Sequence, residues 1–238
     1  MWIRRILAGI GLVAVAGVAA YAGYISWLGI DGSRPSVCRG NPSTGSLEGG
    51  RRLPYSGDNY RAYSLILYAA GRTFVHSAVR DTMRDAYAEL ARSRPELRFV
   101  YAETGWPWGG RFPPHKTHAN GTSVDFHVPV RTEDGTVAEL PTSLFNQYGY
   151  SVRFDRNGGY SVLKLDFEAM GEHLLALEKA ARAHGIRIRR VIFDIHLQPK
   201  LAAAKTGAAA MARLAFSKTQ AWVPHSEHYH VDFEVGCR

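Results

Sequence analysis

An uncharged apolar run near the N-terminus is the strongest hydrophobic pattern in the chain. Residues 6–30 follow Arg4 and Arg5 and contain no charged side chain. A membrane-spanning helix needs about 20 apolar residues, whereas the apolar core of a signal peptide has roughly 7–15. The run therefore predicts a retained transmembrane helix, and the two arginines place the rest of the chain on the outer side of the membrane. The small residues around Tyr21 keep cleavage of the segment open as an alternative.

The rest of the chain alternates between helix-like and strand-like patterns. Residues 31–59 are rich in Gly, Ser, Pro and Arg and show no periodicity, which is typical of a linker. Later segments show either helical or alternating spacing, without the βαβ rhythm of a parallel sheet. We therefore predict an α+β fold in which helices flank a small, mostly antiparallel sheet. Helices are predicted at residues 73–92, 166–184 and 199–215, and strands at residues 96–102, 122–128, 186–197 and 228–235.

Length, charge and cysteine content limit the organisation further. We divide the 238 residues into a membrane anchor or signal segment (1–30), a linker (31–50) and one domain (51–238). The net charge is +8, but the basic residues are spread out, so nothing marks a nucleic-acid-binding arm. An exported domain lies in an oxidising compartment. A disulfide bond between Cys38 and Cys237 is therefore expected there, with two free thiols as the alternative.

The last predicted strand alternates strictly between apolar and polar residues. Tyr229 and Val231 are predicted to face the core, whereas His228 and His230 face a cleft, about 6.5–7 Å apart along the strand. One of these imidazoles can bind a metal while the other reaches a water on that metal. The same alternation places Glu227 on the face opposite the histidines, unless the strand starts later.

Further candidate metal ligands lie about a hundred residues upstream. His118 is predicted to lie in a loop and Asp125 on the strand that follows, with Gly121 between them. Glycine permits a tight turn, which lets the two side chains converge. Two histidines, one carboxylate and an open fourth position form a hydrolytic zinc site. With one histidine of the last strand added, these residues predict one zinc ion per chain, on one face of the sheet.

Both stretches resemble the motifs of a known peptidase group. His118-Ala-Asn-Gly-Thr-Ser-Val-Asp125 and His228-Tyr-His230 are similar to the two motifs of the lysostaphin, D-Ala-D-Ala peptidase and hedgehog metallopeptidase group. The loop that begins at Arg111 and the segment that begins at His225 are closer still to the penicillin-insensitive murein endopeptidases. The similarity extends over roughly residues 45–235.

The resemblance implies an activity and a division of roles. It implies cleavage of the D-alanyl to meso-diaminopimelyl cross-link of peptidoglycan in the bacterial periplasm. It also implies insensitivity to β-lactams, because these acylate a serine nucleophile. With the predicted anchor the protein would be held in the inner membrane, and without it the protein would be soluble in the periplasm. The implied zinc ligands are His118, Asp125 and His230, and the implied catalytic residues are His228, which assists the metal-bound water, His225 and His115.

Two other functions stay open on the sequence alone. Glu227-His-Tyr-His230 also matches the Glu-x-x-His arrangement of D-Ala-D-Ala carboxypeptidases, in which the glutamate is the general base. Strand alternation favours His228 over Glu227 in that role. The second alternative is a non-catalytic wall-binding module that keeps a structural zinc. The cluster of non-ligand histidines favours catalysis.

Overall fold

The computed structural model describes residues 2–28 and 34–238 of the chain. Helix α1 (Trp2–Leu28) contains the apolar run. Its segment Arg4–Leu28 has a mean hydropathy of 2.1, so length and composition fit a membrane span and fit a signal sequence equally. The ends of the predicted anchor, residues 1, 29 and 30, and the first linker residues, 31–33, lie outside the described residues.

A five-stranded sheet forms the centre of the described domain. Its strand order is β10-β11-β5-β4-β3, and its neighbours are antiparallel except for β3 and β4, which run parallel. The predicted α+β fold with a mostly antiparallel sheet is therefore confirmed. The bounds of the strands are β3 Tyr60–Ala62, β4 Phe99–Tyr101, β5 Ser123–His127, β10 Arg187–Ile192 and β11 His228–Glu234.

The predicted helices form where the apolar spacing is helical, and they bury that face against the sheet. In α3 (Ser77–Ser93) the apolar residues Val79, Met83 and Leu90 belong to the same core cluster as Val231 of β11. Helix α3 begins later than its pattern suggests because the side chain of His76 accepts a hydrogen bond from the backbone at its first turn. The other helices are α2 Leu65–Ala69, α4 Phe167–Ala183, α5 Gln198–Ala203 and α6 Lys205–Arg213.

A second, four-stranded sheet and a 3-10 segment were not predicted. The order of this sheet is β7-β6-β9-β8. Its strands have only two or three residues each, which is too short for an alternating pattern to be recognised in the sequence. These elements are β6 Val130–Thr132, β7 Val137–Ala138, β8 Gly159–Tyr160, β9 Leu163–Leu165 and the 3-10 segment Leu144–Gly149.

A β-hairpin lies in the segment predicted to be a linker. Strands β1 (Val37–Gly40) and β2 (Gly45–Glu48) pair with each other, and the predicted disulfide Cys38–Cys237 joins the hairpin to the C-terminus. Residues 37–48 are therefore part of the folded domain, and for them the prediction of an irregular linker is wrong. The hairpin buries few side chains, among them Cys38 and Leu47, so the sequence lacks the regular apolar alternation of a strand.

Candidate metal centre and active site

The two central strands of the sheet bring Asp125 and His230 face to face. The antiparallel register of β5 and β11 pairs these two residues directly. Their neighbours Phe126 and Tyr229 point the other way, into the core. Nδ1 of His230 lies 2.8 Å from Oδ1 of Asp125, and both side chains are almost completely buried. The predicted alternation of the last strand is thus present from His228 onward.

The loop before β5 carries His118 to the same carboxylate. The backbone of His118 is left-handed, with φ of 72°, and Gly121 has φ of 74°. A left-handed conformation is unfavourable for a residue with a side chain, and such residues often occur at functional sites. A Cβ atom on Gly121 would lie 2.6 Å from Cδ2 of Leu47 and 2.9 Å from the backbone N of His76. The loop therefore follows a path that only glycine permits at position 121.

The hydrogen bonds of His118 define which of its nitrogens is free. Nδ1 lies 3.1 Å from the carbonyl O of Thr104 and 3.3 Å from that of Ser123. A carbonyl only accepts, so Nδ1 carries the proton and Nε2 keeps its lone pair. Nε2 is buried and has no hydrogen-bond partner among the described residues, although it lies 3.3 Å from Oδ1 of Asp125.

This arrangement fits a metal cation. The lone pair of His118 Nε2 and the carboxylate of Asp125 face each other in a buried space, which is unfavourable unless a cation lies between them. His115, His118 and Asp125 form a group whose possible ligand atoms all lie within 4.8 Å of one another. His230 reaches the same carboxylate. Imidazole and carboxylate ligands suit zinc.

The second oxygen of Asp125 faces a different set of side chains. The Tyr150 hydroxyl donates a hydrogen bond to Oδ2 over 2.9 Å. Nδ1 of His115 and Nε2 of His228 lie 3.6 and 3.8 Å from Oδ2. The carboxylate thus separates two groups: His118 and His230 at Oδ1, and Tyr150, His115 and His228 at Oδ2.

Carboxylates behind the histidines fix the orientation of two imidazole rings. Oδ1 of Asp232 lies 2.8 Å from Nε2 of His230. Oε2 of Glu103 lies 2.5 Å from Nε2 of His115. Burial alone would lower the pKa of both histidines, but these carboxylates and Asp125 raise the pKa of each above its ordinary value. Metal-binding histidines commonly have such an acceptor on their second nitrogen.

Glu103 is held in turn by two further residues. Nη2 of Arg72 donates to Oε2 of Glu103 over 2.8 Å, and the Tyr63 hydroxyl donates to Oε1 over 2.7 Å. Burial would raise the pKa of Glu103, but the hydrogen bonds from His115 and Arg72 outweigh it and lower this pKa to about 2. Glu103 is therefore ionised at neutral pH and can accept a hydrogen bond from His115.

The site opens into a cleft of about 700 Å³ that contains the remaining predicted residues. His225 lines it, with its ring centroid 4.5 Å from that of His228, and its Nδ1 donates to the carbonyl O of Val223 over 2.9 Å. Burial, the largest cause, lowers the pKa of His225 to about 3, so this imidazole is neutral. Lys116 and Trp222 also line the cleft, and the lysine Nζ lies 5.1 Å from the tryptophan ring centroid.

Glu227 does not lie where strand alternation placed it. Strand β11 begins at His228, so the alternation does not extend to the preceding residue. Glu227 lines the same cleft as His228, and its Oε1 lies 3.1 Å from Nδ1 of that histidine. The prediction of the opposite face assumed a strand that includes residue 227, and the structure has instead the later start that was allowed for as the exception. The Arg153 guanidinium lies 3.1 Å from its other oxygen, Oε2.

Sequence reasoning missed the supporting residues Glu103, Arg72 and Tyr150. Glu103 follows β4 by two residues, and a carboxylate directly after a short buried strand is a weak signal that could have found it. Tyr150 is one of twelve tyrosines and belongs to no motif. Arg72 is one of many scattered basic residues.

Comparison with known proteins assigns the chain to a family. The family model for penicillin-insensitive murein endopeptidases matches residues 38–237. The match begins at the first bridged cysteine and ends at the second, and it includes every residue of the site described above. No curated protein matches the chain. Since the matched region is most of the chain, this protein belongs to the penicillin-insensitive murein endopeptidase family.

Proposed function

We propose that the chain is a zinc-dependent endopeptidase that hydrolyses the D-alanyl to meso-diaminopimelyl cross-links of peptidoglycan. The observation that carries the metal dependence is the buried lone pair of His118 Nε2, which faces the Asp125 carboxylate without a hydrogen-bond partner among the described residues. Membership of a murein endopeptidase family supports the substrate class. The protein would act in the bacterial periplasm, with α1 as its anchor in the inner membrane.

We assign the zinc ligands to His118, Asp125 and His230. His118 and His230 both face Oδ1 of Asp125, at 3.3 and 2.8 Å, whereas His115 faces Oδ2 at 3.6 Å. His230 is also the more deeply buried of the two candidates for the third position, with 4 % of its side chain exposed against 16 % for His115. Zinc bound there would polarise the scissile carbonyl and lower the pKa of a water molecule.

His228 is the residue that we assign to proton transfer from the attacking water. Glu227 Oε1 accepts a hydrogen bond from Nδ1 of His228 over 3.1 Å, so in the neutral imidazole Nε2 keeps the lone pair, and this atom lies 3.8 Å from Oδ2 of Asp125. An imidazole whose tautomer is fixed by a carboxylate is a suitable general base. Glu227 then acts as the residue that orients this base.

His115 is suited to donate a proton on the same side of Asp125. Its Nε2 lies 2.5 Å from Glu103 Oε2, and its Nδ1 lies 3.6 Å from Asp125 Oδ2. The two carboxylates favour the protonated imidazole, and a proton on Nδ1 would be available to a group bound in the cleft. The leaving amine of the substrate needs such a donor. Tyr150 keeps its proton, because burial is the largest of the causes that raise its pKa well above the ordinary value, and it holds Asp125 in place.

The test is digestion of purified cross-linked peptidoglycan dimers by the full chain, with and without a chelator, read by mass spectrometry. We expect chelator-sensitive conversion of dimers to monomers, and restoration by added zinc. Loss of a terminal D-alanine with dimers intact would replace the proposal by a carboxypeptidase. Intact dimers in the presence of a zinc-loaded chain would indicate a wall-binding module.

Two variants assign the base in the same assay. His228→Ala should keep zinc and lose about 10²–10⁴-fold in rate, the usual contribution of general base catalysis. Glu227→Gln should lose less, because the amide oxygen can still accept from Nδ1 of His228. A larger loss in Glu227→Gln than in His228→Ala would overturn this assignment and make Glu227 the base.

A further inference from the structure

Helix α2 exposes two large apolar side chains beside the end of α1. Leu65 is 62 % exposed and Ile66 is 67 % exposed. The segment that follows α2 contacts α1, since the Tyr21 hydroxyl donates to the carbonyl O of Ala70 over 3.2 Å. We call Leu65 and Ile66 the α2 surface. Two adjacent, exposed apolar side chains of this size indicate a surface that is covered by a partner.

The C-terminal end of α1 is fixed to the domain at this place. Ile25 of α1 is completely buried, and a Cβ atom on Gly71 would lie 3.2 Å from its Cδ1 atom. The Arg52 guanidinium donates to the Ser26 hydroxyl over 3.2 Å and to the carbonyl O of Tyr68 in α2 over 2.8 Å. The position of α2 relative to α1 is therefore set by packing and by partly buried hydrogen bonds.

Helix geometry gives the depth in the membrane at which the end of α1 meets the domain. A hydrocarbon layer about 30 Å thick is spanned by roughly 20 helical residues at about 1.5 Å each. Counted from Ile6, the first residue after the two arginines, such a span ends near Ile25. Tyr24 and Trp27, 52 % and 65 % exposed, then lie at the outer interface, where aromatic residues are enriched.

We propose that the α2 surface contacts the outer interface of the phospholipid bilayer that α1 spans. Ile25 lies at the boundary of the hydrocarbon and packs against Gly71, so α2 lies at the level of the headgroups. Leu65 and Ile66 are then removed from water by lipid. The inference rests on the proposed membrane span and is independent of the proposed hydrolysis.

The arrangement has a consequence for the substrate. Leu67, the next residue of α2, lines the catalytic cleft together with Tyr63. One short helix therefore separates the cleft from the membrane surface. The enzyme would act on the cross-linked peptides that lie nearest to the membrane, and cross-links deeper in the wall would stay out of its reach.

The experiment measures the depth of nitroxide labels on the full chain in vesicles of phosphatidylethanolamine and phosphatidylglycerol. The labels are attached at Ile66→Cys and, as a control, at Arg189→Cys. The two native cysteines are bridged to each other, so the introduced thiol reacts alone. Arg189 is exposed on β10, at the sheet edge opposite β3, about 19 Å across four strand spacings.

We expect the ratio of oxygen to water-soluble nickel collisions to be several-fold higher for the label at position 66 than for the label at position 189. Equal nickel accessibility at both positions would overturn the proposal. Recovery of the chain in the soluble fraction would overturn it as well, since α1 then does not span. A lipid-protected label on a chain that cleaves no dimers would support the membrane contact and contradict only the proposed hydrolysis.

Discussion

Replacement of Gly121 by alanine tests whether close packing sets the path of the loop that carries His118. The left-handed backbone at position 121 costs alanine about 1–2 kcal/mol. The added Cβ would also lie 2.6 Å from Leu47 Cδ2 and 2.9 Å from the His76 backbone N. Overpacking of this kind costs about 1–3 kcal/mol. We therefore expect Gly121→Ala to lower the free energy of unfolding by about 2–5 kcal/mol.

Gly135 provides the matched control. It has φ of 86°, close to the value at Gly121, but a Cβ atom there meets nothing within 4 Å. Gly135→Ala should therefore lose the backbone contribution alone, about 1–2 kcal/mol. The reduced entropy of the unfolded chain affects both variants equally and cancels in their difference.

The assay is urea unfolding of the detergent-solubilised chain, followed by tryptophan fluorescence, together with a competition measurement of zinc affinity. Leu47→Ala should recover part of the loss when it is combined with Gly121→Ala, because it removes the atom nearest to the new Cβ. Equal losses in Gly121→Ala and Gly135→Ala, with no recovery in the double variant, would refute the packing argument.

Three further predictions concern the groups around the site and the bridge. Asp232→Asn should weaken zinc binding by about 10–100-fold, measured by competition with a chromogenic chelator, because Asp232 orients His230; an unchanged affinity would contradict the assigned ligand. Glu103 has its pKa lowered from 4.5 to about 2, so its contribution to stability is complete above pH 4.5 and is lost as the pH falls towards 2. Glu103→Gln should accordingly flatten the dependence of the unfolding midpoint on pH in this range, and a slope identical to that of the parent chain would exclude the effect. Replacement of both Cys38 and Cys237 by serine should cost up to about 5 kcal/mol, the chain-entropy value for a sequence separation of 199 residues. A reductant should lower the unfolding midpoint of the parent chain and leave this double variant unaffected.

The proximity of the motif residues could be predicted from the sequence because each motif is local. His118 and Asp125 are separated by one tight turn, and the alternation of β11 determines the face on which His228 and His230 lie. Strand pairing then joins the two motifs across β5 and β11. This step follows from the small antiparallel sheet that the sequence also predicts.

The rest of the site could not be predicted because it depends on contacts between distant parts of the chain. Glu103 meets Arg72 and His115 through loops whose course no periodic pattern defines. Glu227 was misplaced for a different reason. The alternation of side chains between the two faces of a sheet applies only to residues within a strand. Strand β11 begins at His228, one residue after Glu227.

The hairpin β1–β2 could not be predicted because its stabilising contacts come from other parts of the chain. Its edge is bonded to the C-terminus through the backbone of Cys38 and Arg238, and Leu47 fills the space over Gly121. A strand that is stabilised by a covalent bond and by another loop needs little apolar pattern of its own.

The bridge between Cys38 and Cys237 also turns the catalytic domain into a covalent ring. Cys38 lies in β1, the first described strand along the chain, and Cys237 follows the end of β11, the last one. The matched family region runs from one cysteine to the other. One cut by an envelope protease inside this ring opens it but releases no fragment, because the two new pieces stay linked through sulfur. Two cuts are needed to remove any segment, whereas one cut before Cys38 breaks the covalent link between the ring and α1. A single cut before Cys38 therefore leaves the ring, with the site still enclosed, attached to α1 through the packing of Ile25 and hydrogen bonds rather than through the chain.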